Sequence, residues 1–339
     1  MDAKNSSPIQ PPSDSDIVVP FSTDRAGAVG RIVKLDASVD EILRRHDYPN
    51  AVSHTLGEAL ALCAMLGTTL KIGGRLILQT STDGPLKMLV VNFDAPGHLR
   101  GYASFDDRVS NFESPEFDKG ALLGNGHLAL TVDPGGDLDR YQGIVALNRT
   151  SLTDAALHYF RQSEQLPSFL KLAVAHEYRQ DDSSAKATDA PSDNDKWSWR
   201  ASGILVQHVA REGGNETKSE ASDTRDGGDE HAYEQDAGNE DWKRTLILAQ
   251  TVEDYELLDT ALPPDRLLYR LFHEEGVRAT DPVSILAKCR CSRERVEGFV
   301  KNFSAEELRG LREPDGGVTV TCEFCNDAYR FEPDELAGS

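Results

Sequence analysis

The sequence lacks a run of about 18 consecutive apolar residues, the length that a membrane-spanning helix requires. Basic residues are scarce, because 36 Lys and Arg stand against 57 Asp and Glu, giving a formal net charge of -21. Such a chain repels phosphate backbones and anionic lipid, which argues against nucleic acid and membranes as general partners. The pattern G-x-x-x-x-G-K-[ST] is also absent, so no motif supports the use of ATP.

Patterns typical of an active site are missing as well. The nine histidines show no metal-ligand spacing. Gly124-Asn125-Gly126 lacks the third glycine of a dinucleotide-binding loop. We therefore expect a protein that is not an enzyme.

The first fifteen residues are polar and proline-rich, and they contain no apolar run of the kind that a secretory signal needs. We expect residues 1–15 to form a disordered arm and the protein to be cytoplasmic. Only five cysteines are present, and four of them form two close pairs. Since cytoplasmic thiols are kept reduced, clustered cysteines there favour metal binding or redox sensing over permanent disulfides.

A length of 339 residues predicts two or more structural units. Residues 16–210 mix strand-like and helix-like segments. Successive strands are predicted at 75–82, 85–94 and 98–105, a meander that favours a largely antiparallel sheet. The Leu- and Ala-rich residues 50–70 predict a mostly buried helix. The predicted fold class is α+β, with an N-terminal mixed domain, a helical linker and a small C-terminal zinc-binding domain.

Two segments separate the first domain from the cysteines. Residues 211–241 carry three basic and eleven acidic side chains and few apolar ones, which predicts a disordered acidic insertion. A helical linker is predicted at 242–280, where Pro263-Pro264 begins a helix with an apolar stripe. The stripe consists of Leu267, Leu268, Leu271 and Phe272. It needs a packing partner, and permanent packing on the first domain is one interpretation.

The remaining residues, 281–339, are predicted to form a small unit around four cysteines. Cys289 and Cys291 make a C-x-C pair, and Cys322 and Cys325 make a C-x-x-C pair after 30 intervening residues. Four thiolates satisfy a tetrahedral zinc ion, and a C-x-x-C turn commonly presents two of them. The spacing therefore predicts one Zn²⁺ bound by these four residues in the reduced form.

Close pairing also predicts a redox response. Alpha carbons two residues apart lie at most roughly 6.6 Å from each other, within the range that a disulfide spans. Among the three possible connectivities, neighbours are favoured, so that Cys289 pairs with Cys291 and Cys322 with Cys325. Structural zinc contributes on the order of 10–16 kcal/mol of folding energy. A unit this small is expected to unfold when oxidation removes the thiolates and the metal leaves.

Other interpretations of the cysteines are a constitutive zinc ribbon and a thioredoxin-like pair. A ribbon that binds nucleic acid is disfavoured, because residues 281–339 contain eight basic and twelve acidic side chains. A thioredoxin-like pair requires a strand-to-helix context, whereas residues 326–331 indicate a turn and a strand. Cys63 lies in an apolar run and is expected to be a buried, inert thiol.

These residues resemble a known family, the bacterial 33 kDa chaperonins, which are redox-regulated heat-shock holdases. The C-x-C and C-x-x-C pairs match its zinc motif, and CSRER at 291–295 resembles the sequence around its first pair. LYRLFHEE at 268–275 resembles its linker helix, while SEQLP at 163–167 and YQG at 141–143 resemble segments of its N-terminal domain. The resemblance extends from about residue 17 to residue 331, and the acidic insertion departs from it.

The resemblance implies an ATP-independent chaperone that is inactive when reduced and zinc-bound. It implies binding of unfolded or misfolded client proteins after oxidative stress, and a homodimer when oxidised. A consistent mechanism is that loss of the zinc fold removes a packing partner from the linker and exposes the apolar stripe to clients. The alternatives are a thiol-disulfide oxidoreductase and a constitutive zinc-ribbon interaction protein.

Overall fold

The computed structural model describes residues 15–71, 73–114, 116–136, 139–178, 197–209 and 240–332. The predicted arm and the predicted acidic insertion lie outside this part of the chain, apart from residues 15, 240 and 241. Among the described residues, no helix is both long enough and apolar enough to cross a membrane.

The strands and helices follow closely on one another along the chain. In the described residues the strands are β1 (Ile17–Thr23), β2 (Ala28–Leu35), β3 (Arg75–Thr82), β4 (Leu86–Asp94), β5 (His98–Phe105), β6 (Asn125–Asp133), β7 (Tyr141–Asn148), β8 (Ser168–Tyr178), β9 (Trp197–His208), β10 (Val277–Ala279), β11 (Val283–Ser284), β12 (Leu286–Ala287), β13 (Val318–Thr321) and β14 (Ala328–Phe331). The α-helices are α1 (Ala37–Arg44), α2 (Asn50–Gly67), α3 (Lys119–Leu123), α4 (Leu152–Tyr159), α5 (Glu240–Gln250), α6 (Asp254–Leu258), α7 (Pro264–Phe272), α8 (Arg293–Val300) and α9 (Ala305–Leu311).

Most strands belong to two six-stranded sheets. The first sheet has the order β10-β1-β2-β9-β8, with the short β11 also paired to β1. The second sheet has the order β12-β5-β4-β3-β6-β7. Each recorded pairing of strands is antiparallel except that of β12 with β5. The predicted α+β class with largely antiparallel sheets is therefore confirmed.

Helix α2 forms the centre of the main core. Its sequence is apolar on nearly every side, and it contacts strands of both sheets. Gly67 at its end allows close approach, because a Cβ there would lie 2.2 Å from Cγ of Phe93. A helix that is hydrophobic all round has to be buried, and here the two sheets bury it.

The outer face of the first sheet is covered by α5, α6 and α7. The first part of the predicted helical linker forms two helices, α5 and α6, because Glu253 and Glu256 form a capping box that begins α6. The apolar stripe of α7 is at most 2% exposed and packs with residues of β1, β2, β8 and β9. The Phe272 ring stacks on Phe21 of β1 at a centroid distance of 5.6 Å.

This packing corrects one part of the sequence-based mechanism. In the described residues, the cluster that buries the stripe contains the first sheet and the linker helices and no residue after Val277. The packing partner of the stripe is therefore the sheet rather than the cysteine unit. An apolar sheet face and an amphipathic helix pack together wherever chain connectivity allows, and α7 lies close to β1 through the adjoining β10.

After α7 the chain runs along the edges of both sheets. Strands β10 and β11 pair with β1, and β12 pairs with β5. The cysteine unit follows, with α8, α9 and the β13–β14 hairpin around a small apolar cluster of Val300, Leu308, Val318 and Phe331. Residues 283–287 thus belong to the two sheets, although the predicted boundary of the C-terminal domain lies at 281. The predicted domain limits stay a prediction.

Candidate metal centre

The four clustered cysteines come from two short segments of the C-terminal unit. Cys289 and Cys291 lie between the end of β12 and the beginning of α8, whose N-cap is Ser292. Cys322 and Cys325 lie in the turn that joins β13 to β14. Asn326, with a φ of 60°, donates its backbone N–H to the Cys322 carbonyl at 2.8 Å, which closes this turn. Asparagine tolerates such a left-handed conformation better than most residues do.

The sulfur positions fit one tetrahedral metal ion. All four Sγ atoms lie within 4.8 Å of one another. The Sγ atoms of Cys289 and Cys322 are 3.7 Å apart, and those of Cys291 and Cys325 are 3.1 Å apart. A zinc ion with Zn–S distances of 2.3 Å requires S···S distances of about 3.8 Å. The structure therefore brings together the four residues that the sequence singled out, in an arrangement that a soft divalent metal can occupy.

The local environment acts differently on the four thiols. Burial opposes ionisation of Cys289, but hydrogen bonds from Cys291 and Arg100 outweigh it and lower the Cys289 pKa to about 7. Burial raises the pKa of the Cys291 and Cys325 thiols. Metal ligation requires thiolates, so an ion entering this cluster displaces protons, and Cys289 loses its proton most easily of these three.

Polar groups around the cluster supply further contacts to sulfur. The Tyr329 hydroxyl donates to Sγ of Cys291 at 3.2 Å, and the Cys325 thiol donates to Oδ2 of Asp327 at 3.3 Å. The Arg100 guanidinium lies 3.8 Å from Sγ of Cys289. Tyr329 and Asp327 follow the C-x-x-C pair by two to four residues, and this proximity could have indicated that they contact the sulfurs. Arg100 is 189 residues from Cys289 along the chain, and no signal in the sequence connects them.

The cysteine unit docks on the second sheet through a few polar and aromatic contacts. The Arg100 guanidinium of β5 lies 4.1 Å from the centroid of the Phe324 ring, a cation–π contact. Arg290 forms an ion pair with Asp94 of β4 at 3.1 Å. The Asn326 side chain donates to the Arg45 carbonyl at 3.2 Å. Such contacts are individually weak, so the unit is held to the domain far less firmly than α2 is held in the core.

Cys63 lies apart from this cluster. It is fully buried in α2, and its Sγ is 3.8 Å from the Val91 carbonyl. Burial raises the pKa of the Cys63 thiol far above its usual range. A thiol in this environment is inert, as its apolar sequence context predicts.

The turn that carries Cys322 and Cys325 bears on the oxidoreductase alternative. A thioredoxin-like pair lies at the beginning of a helix, where the helix dipole stabilises the thiolate. Here the pair joins two strands of a hairpin, and Cys322 accepts and donates backbone hydrogen bonds within that turn. The predicted turn and strand after Cys325 is confirmed by β14.

Fold and site together define a class of protein. It is a two-sheet α+β protein that covers one sheet with linker helices and carries a small four-cysteine unit suited to a tetrahedral metal ion.

Comparison with known proteins identifies the family. The sequence model of the family described as Hsp33 protein matches residues 16–332. The 33 kDa chaperonin of Caulobacter vibrioides is 40% identical over 321 residues, which cover 94% of this chain and 95% of that protein. The 33 kDa chaperonin of Nitrosococcus oceani is 35% identical over 312 residues, covering 92% and 90%. The chain therefore belongs to the Hsp33 family of chaperones, as its sequence predicted.

A solved structure supports the likeness of fold. The crystal structure of the 33 kDa chaperonin from Thermotoga maritima, a heat shock protein 33 homolog, aligns with a TM-score of 0.69. The alignment covers 95% of this chain and 97% of that chain at 21% sequence identity. The fold is thus shared over nearly the whole length.

Proposed function

We propose that this chain is a redox-regulated, ATP-independent holdase that binds unfolding proteins under oxidative stress. It is inactive when reduced and bound to one Zn²⁺, and disulfide formation with zinc release activates it. The observation that carries this proposal is the convergence of four cysteine sulfurs within 4.8 Å inside a unit whose own buried cluster has four members. Units this small usually need a metal or disulfides to fold.

Cys289, Cys291, Cys322 and Cys325 are the proposed metal ligands. When bound, zinc keeps the four sulfurs as thiolates and ties the segment before α8 to the β13–β14 turn. Since metal binding and folding are coupled in such sites, this linkage stabilises the whole unit.

Oxidation removes the thiolates. Each disulfide forms when two thiolates lose two electrons to a peroxide, whose O–O bond breaks and whose oxygens leave as water after taking up protons. We propose the pairs Cys289–Cys291 and Cys322–Cys325. The sulfurs of Cys291 and Cys325 are 3.1 Å apart, so cross-pairing is the competing outcome. Peptide mapping of the oxidised protein distinguishes the two connectivities.

Unfolding of the cysteine unit reaches the linker through the edge strands. The chain between the unit and α7 consists of β12, β11 and β10, with pairings of two or three residues each. Without the docked unit these short pairings have little to stabilise them. Their loss would free the C-terminal end of α7.

Two lysines of the first sheet hold the linker helices in place. Lys171 donates to the Val252 carbonyl at 2.6 Å, and Lys34 donates to the Leu262 carbonyl at 2.6 Å. Detachment of the linker breaks these bonds and exposes the stripe. Burial of its four side chains is worth roughly 6–12 kcal/mol, so the exposed surface would bind apolar segments of clients.

The deciding experiment measures light scattering of a client that unfolds and aggregates. Peroxide-treated protein should suppress scattering, and reduced zinc-loaded protein should not. Equal protection by both forms would favour a constitutive zinc-ribbon protein. Catalytic reduction of insulin disulfides would favour the oxidoreductase.

Metal and thiol counts on the same samples test the switch itself. Peroxide should remove four free thiols together with one zinc ion. Cys63→Ser serves as the matched control, since Cys63 is fully buried and is not a member of the cluster. In this variant peroxide should still remove four thiols and one zinc ion. Cys322→Ser should lower zinc retention. Zinc retention after all four thiols are lost would contradict the proposal.

The remaining features of the proposal rest on charge, on thiol chemistry and, for the homodimer, on the resemblance to the 33 kDa chaperonins. We propose a cytoplasmic location, where reducing conditions keep the cysteine cluster ready for oxidation. The oxidised form is proposed to be a homodimer. The net charge of -21 argues against roles for nucleic acid or membranes.

A further inference from the structure

The segment that joins the linker to the cysteine unit lies across the edges of both sheets. Residues 283–288, which we call the strap, pair with β1 through β11 and with β5 through β12. Three strap amides donate hydrogen bonds to backbone carbonyls of the two-sheet domain. These bonds run from Ile285 to Asp16 (2.7 Å), from Leu286 to Gly97 (2.9 Å) and from Lys288 to Leu99 (2.9 Å). The strap is thus an added edge strand that the two sheets share.

Side chains of the strap alternate between buried and exposed positions, as they do in an extended strand. Ile285 is 1% exposed and belongs to the main cluster, whereas its neighbour Leu286 is 58% exposed. Ala287 packs against the same cluster from a partly exposed position. One aliphatic side chain, one small one and a few backbone hydrogen bonds therefore hold the strap in place.

The groove under the strap is built by the two-sheet domain. Strand β1 pairs with β2 on its other side, and β5 pairs with β4 along its whole length. Asp16, whose carbonyl accepts from Ile285, is fixed by its own side chain, which accepts from the backbone N–H of Asp36 at 3.0 Å and of Ser38 at 2.9 Å. None of these contacts involves the strap. A groove whose walls are fixed in advance costs little to organise when a ligand binds.

Gly97 shapes this groove to accept a polypeptide backbone. A Cβ at position 97 would lie 2.0 Å from the Ser284 carbonyl oxygen, so glycine is required for an extended chain to come this close. When the strap leaves, three carbonyls of the domain lose their donors and the place of the Ile285 side chain opens. Unpaired backbone groups at a sheet edge and an apolar hollow both favour the binding of another extended segment.

We propose that this groove binds an extended apolar segment of an unfolding client, and that the strap occupies it as an internal competitor. The client segment adds as a strand to the edges of β1 and β5, with an aliphatic side chain in the place of Ile285. Backbone hydrogen bonds depend little on sequence, so many clients fit. The inference rests on the proposed function, in which release of the cysteine unit frees the strap, and it adds a second client surface to the stripe of α7.

The strap itself indicates which partner fits. Its sequence, VSILAK, contains no acidic residue and no proline, in a chain with 57 Asp and Glu. A net charge of -21 repels an acidic segment, and proline cannot donate the backbone hydrogen bonds that the groove accepts. The fitting partner is therefore an aliphatic, extended segment that is neutral or basic.

Fluorescence anisotropy of a labelled peptide tests the groove without any oxidant. The probe is PVSILAK, residues 282–288, with both ends blocked. Reduced wild type should bind it poorly, because the strap fills the groove. Ile285→Ser weakens the seating of the strap and should lower the peptide dissociation constant at least about tenfold. Leu286→Ser changes the adjacent outward side chain and, as the matched control, should bind like wild type.

A backbone variant makes the same test by another route. Leu286→Pro removes the amide that donates to Gly97 and should also increase peptide affinity, whereas Leu286→Ser keeps that amide. A peptide with serine in place of its isoleucine has the same charge as the probe. It should bind at least about tenfold more weakly to either loosened variant.

A double variant locates the bound peptide. Gly97→Ala in the Ile285→Ser protein places a methyl group where the backbone of the strap lies, and it should abolish the gain in affinity. Unchanged binding in this double variant would place the peptide elsewhere and overturn the proposal.

Oxidation separates this proposal from the redox switch. Peroxide-treated wild type should bind the peptide, and excess peptide should reduce its protection of clients in light scattering. Binding by Ile285→Ser and Leu286→Pro but not by peroxide-treated wild type would support the groove and overturn its opening by oxidation. Failure of both variants to gain binding would overturn the groove. Variants that reject the peptide and sediment as dimers would make the strap of a second copy the occupant, which also overturns the assignment to clients.

Discussion

The two-sheet domain and the cysteine unit achieve their folds by different means. In the described residues the main cluster of the domain has 42 buried hydrophobic members, whereas the cluster of the cysteine unit has four. The domain is stabilised by packing, which responds little to oxidants. In the proposed function, the fold of the unit depends on what its sulfurs bind. One chain would then join a permanent fold to a conditional one.

The cysteines show the same contrast at the level of one residue type. Cys63 is fully buried between apolar neighbours, and burial raises its pKa. Cys289 is partly exposed, and its surroundings lower its pKa to about 7. Environment therefore separates an inert thiol from one that loses its proton more readily.

Removal of the metal should have the largest effect, because it should unfold the cysteine unit and leave the two-sheet domain folded. Chelation of the reduced protein should unfold the cysteine unit, because structural zinc contributes on the order of 10–16 kcal/mol. Hydrogen exchange followed by mass spectrometry should show loss of protection in α8 and in β13 and β14, while β3 and β4 remain protected. Added zinc should restore the protection. Persistent protection of α8 in protein shown to be metal-free would contradict this expectation.

A cavity under the linker should have the next largest effect. Phe272→Ala removes a ring that is fully buried against Phe21 and should lower the free energy of unfolding by about 3–5 kcal/mol. Urea unfolding measures this change. Tyr269→Ala on the same helix is the control, since Tyr269 is 66% exposed and its loss should cost less than about 0.5 kcal/mol. Equal effects of the two changes would mean that α7 is not firmly packed.

Acid should weaken the two-sheet domain through His54. Burial, reinforced by the nearby Lys119 charge, lowers the His54 pKa to about 4. The unfolded state then binds a proton that the folded state does not, so the free energy of unfolding falls as pH falls from about 6.5 to 4. The loss amounts to roughly 3 kcal/mol at most.

His54→Gln should flatten this pH dependence in urea unfolding experiments. The exposed His127 provides the control, and His127→Gln should keep the wild-type profile. A His54→Gln profile parallel to that of wild type would show that another group causes the acid sensitivity.

The smallest predicted effect concerns docking of the cysteine unit. Phe324→Leu removes the ring beneath Arg100 and should weaken docking by about 0.5–2 kcal/mol. Amides of β12 should exchange faster, while zinc content stays at one ion per chain. Phe299→Leu changes an exposed ring of α8 in the same unit and should leave exchange in β12 unchanged. Zinc loss in Phe324→Leu would show that docking and metal binding are not separable.

Much of the fold was predictable from local patterns. The predicted limits of the strands at 75–82 and 98–105 agree with β3 and β5, because alternating side chains and flanking turns mark a strand in the sequence itself. The helix predicted at 50–70 ends at Gly67. The cysteine cluster was predictable for a similar reason, since few other arrangements account for two close pairs of thiols in a reduced chain.

Other features had no local signal. Strands β10, β11 and β12 have two or three residues each, too few to show a period, and exist through pairing with β1 and β5. The amphipathic pattern of α7 predicted that its apolar stripe packs against another part of the protein. It did not predict which part. Arg100 is remote in sequence from the cysteines that it approaches.

The sequence by itself determined most of the longer strands and helices, which four residues can bind a metal, and to which family the chain belongs. These depend on residue type and on spacing along the chain. The tertiary structure alone decided that the first sheet covers the stripe of α7, that Arg100 meets Phe324, and that Ile285 is buried where the strap crosses the edges of both sheets. Each of these features depends on which segments far apart in the sequence come into contact and which do not. Such arrangements arise only when the whole chain packs.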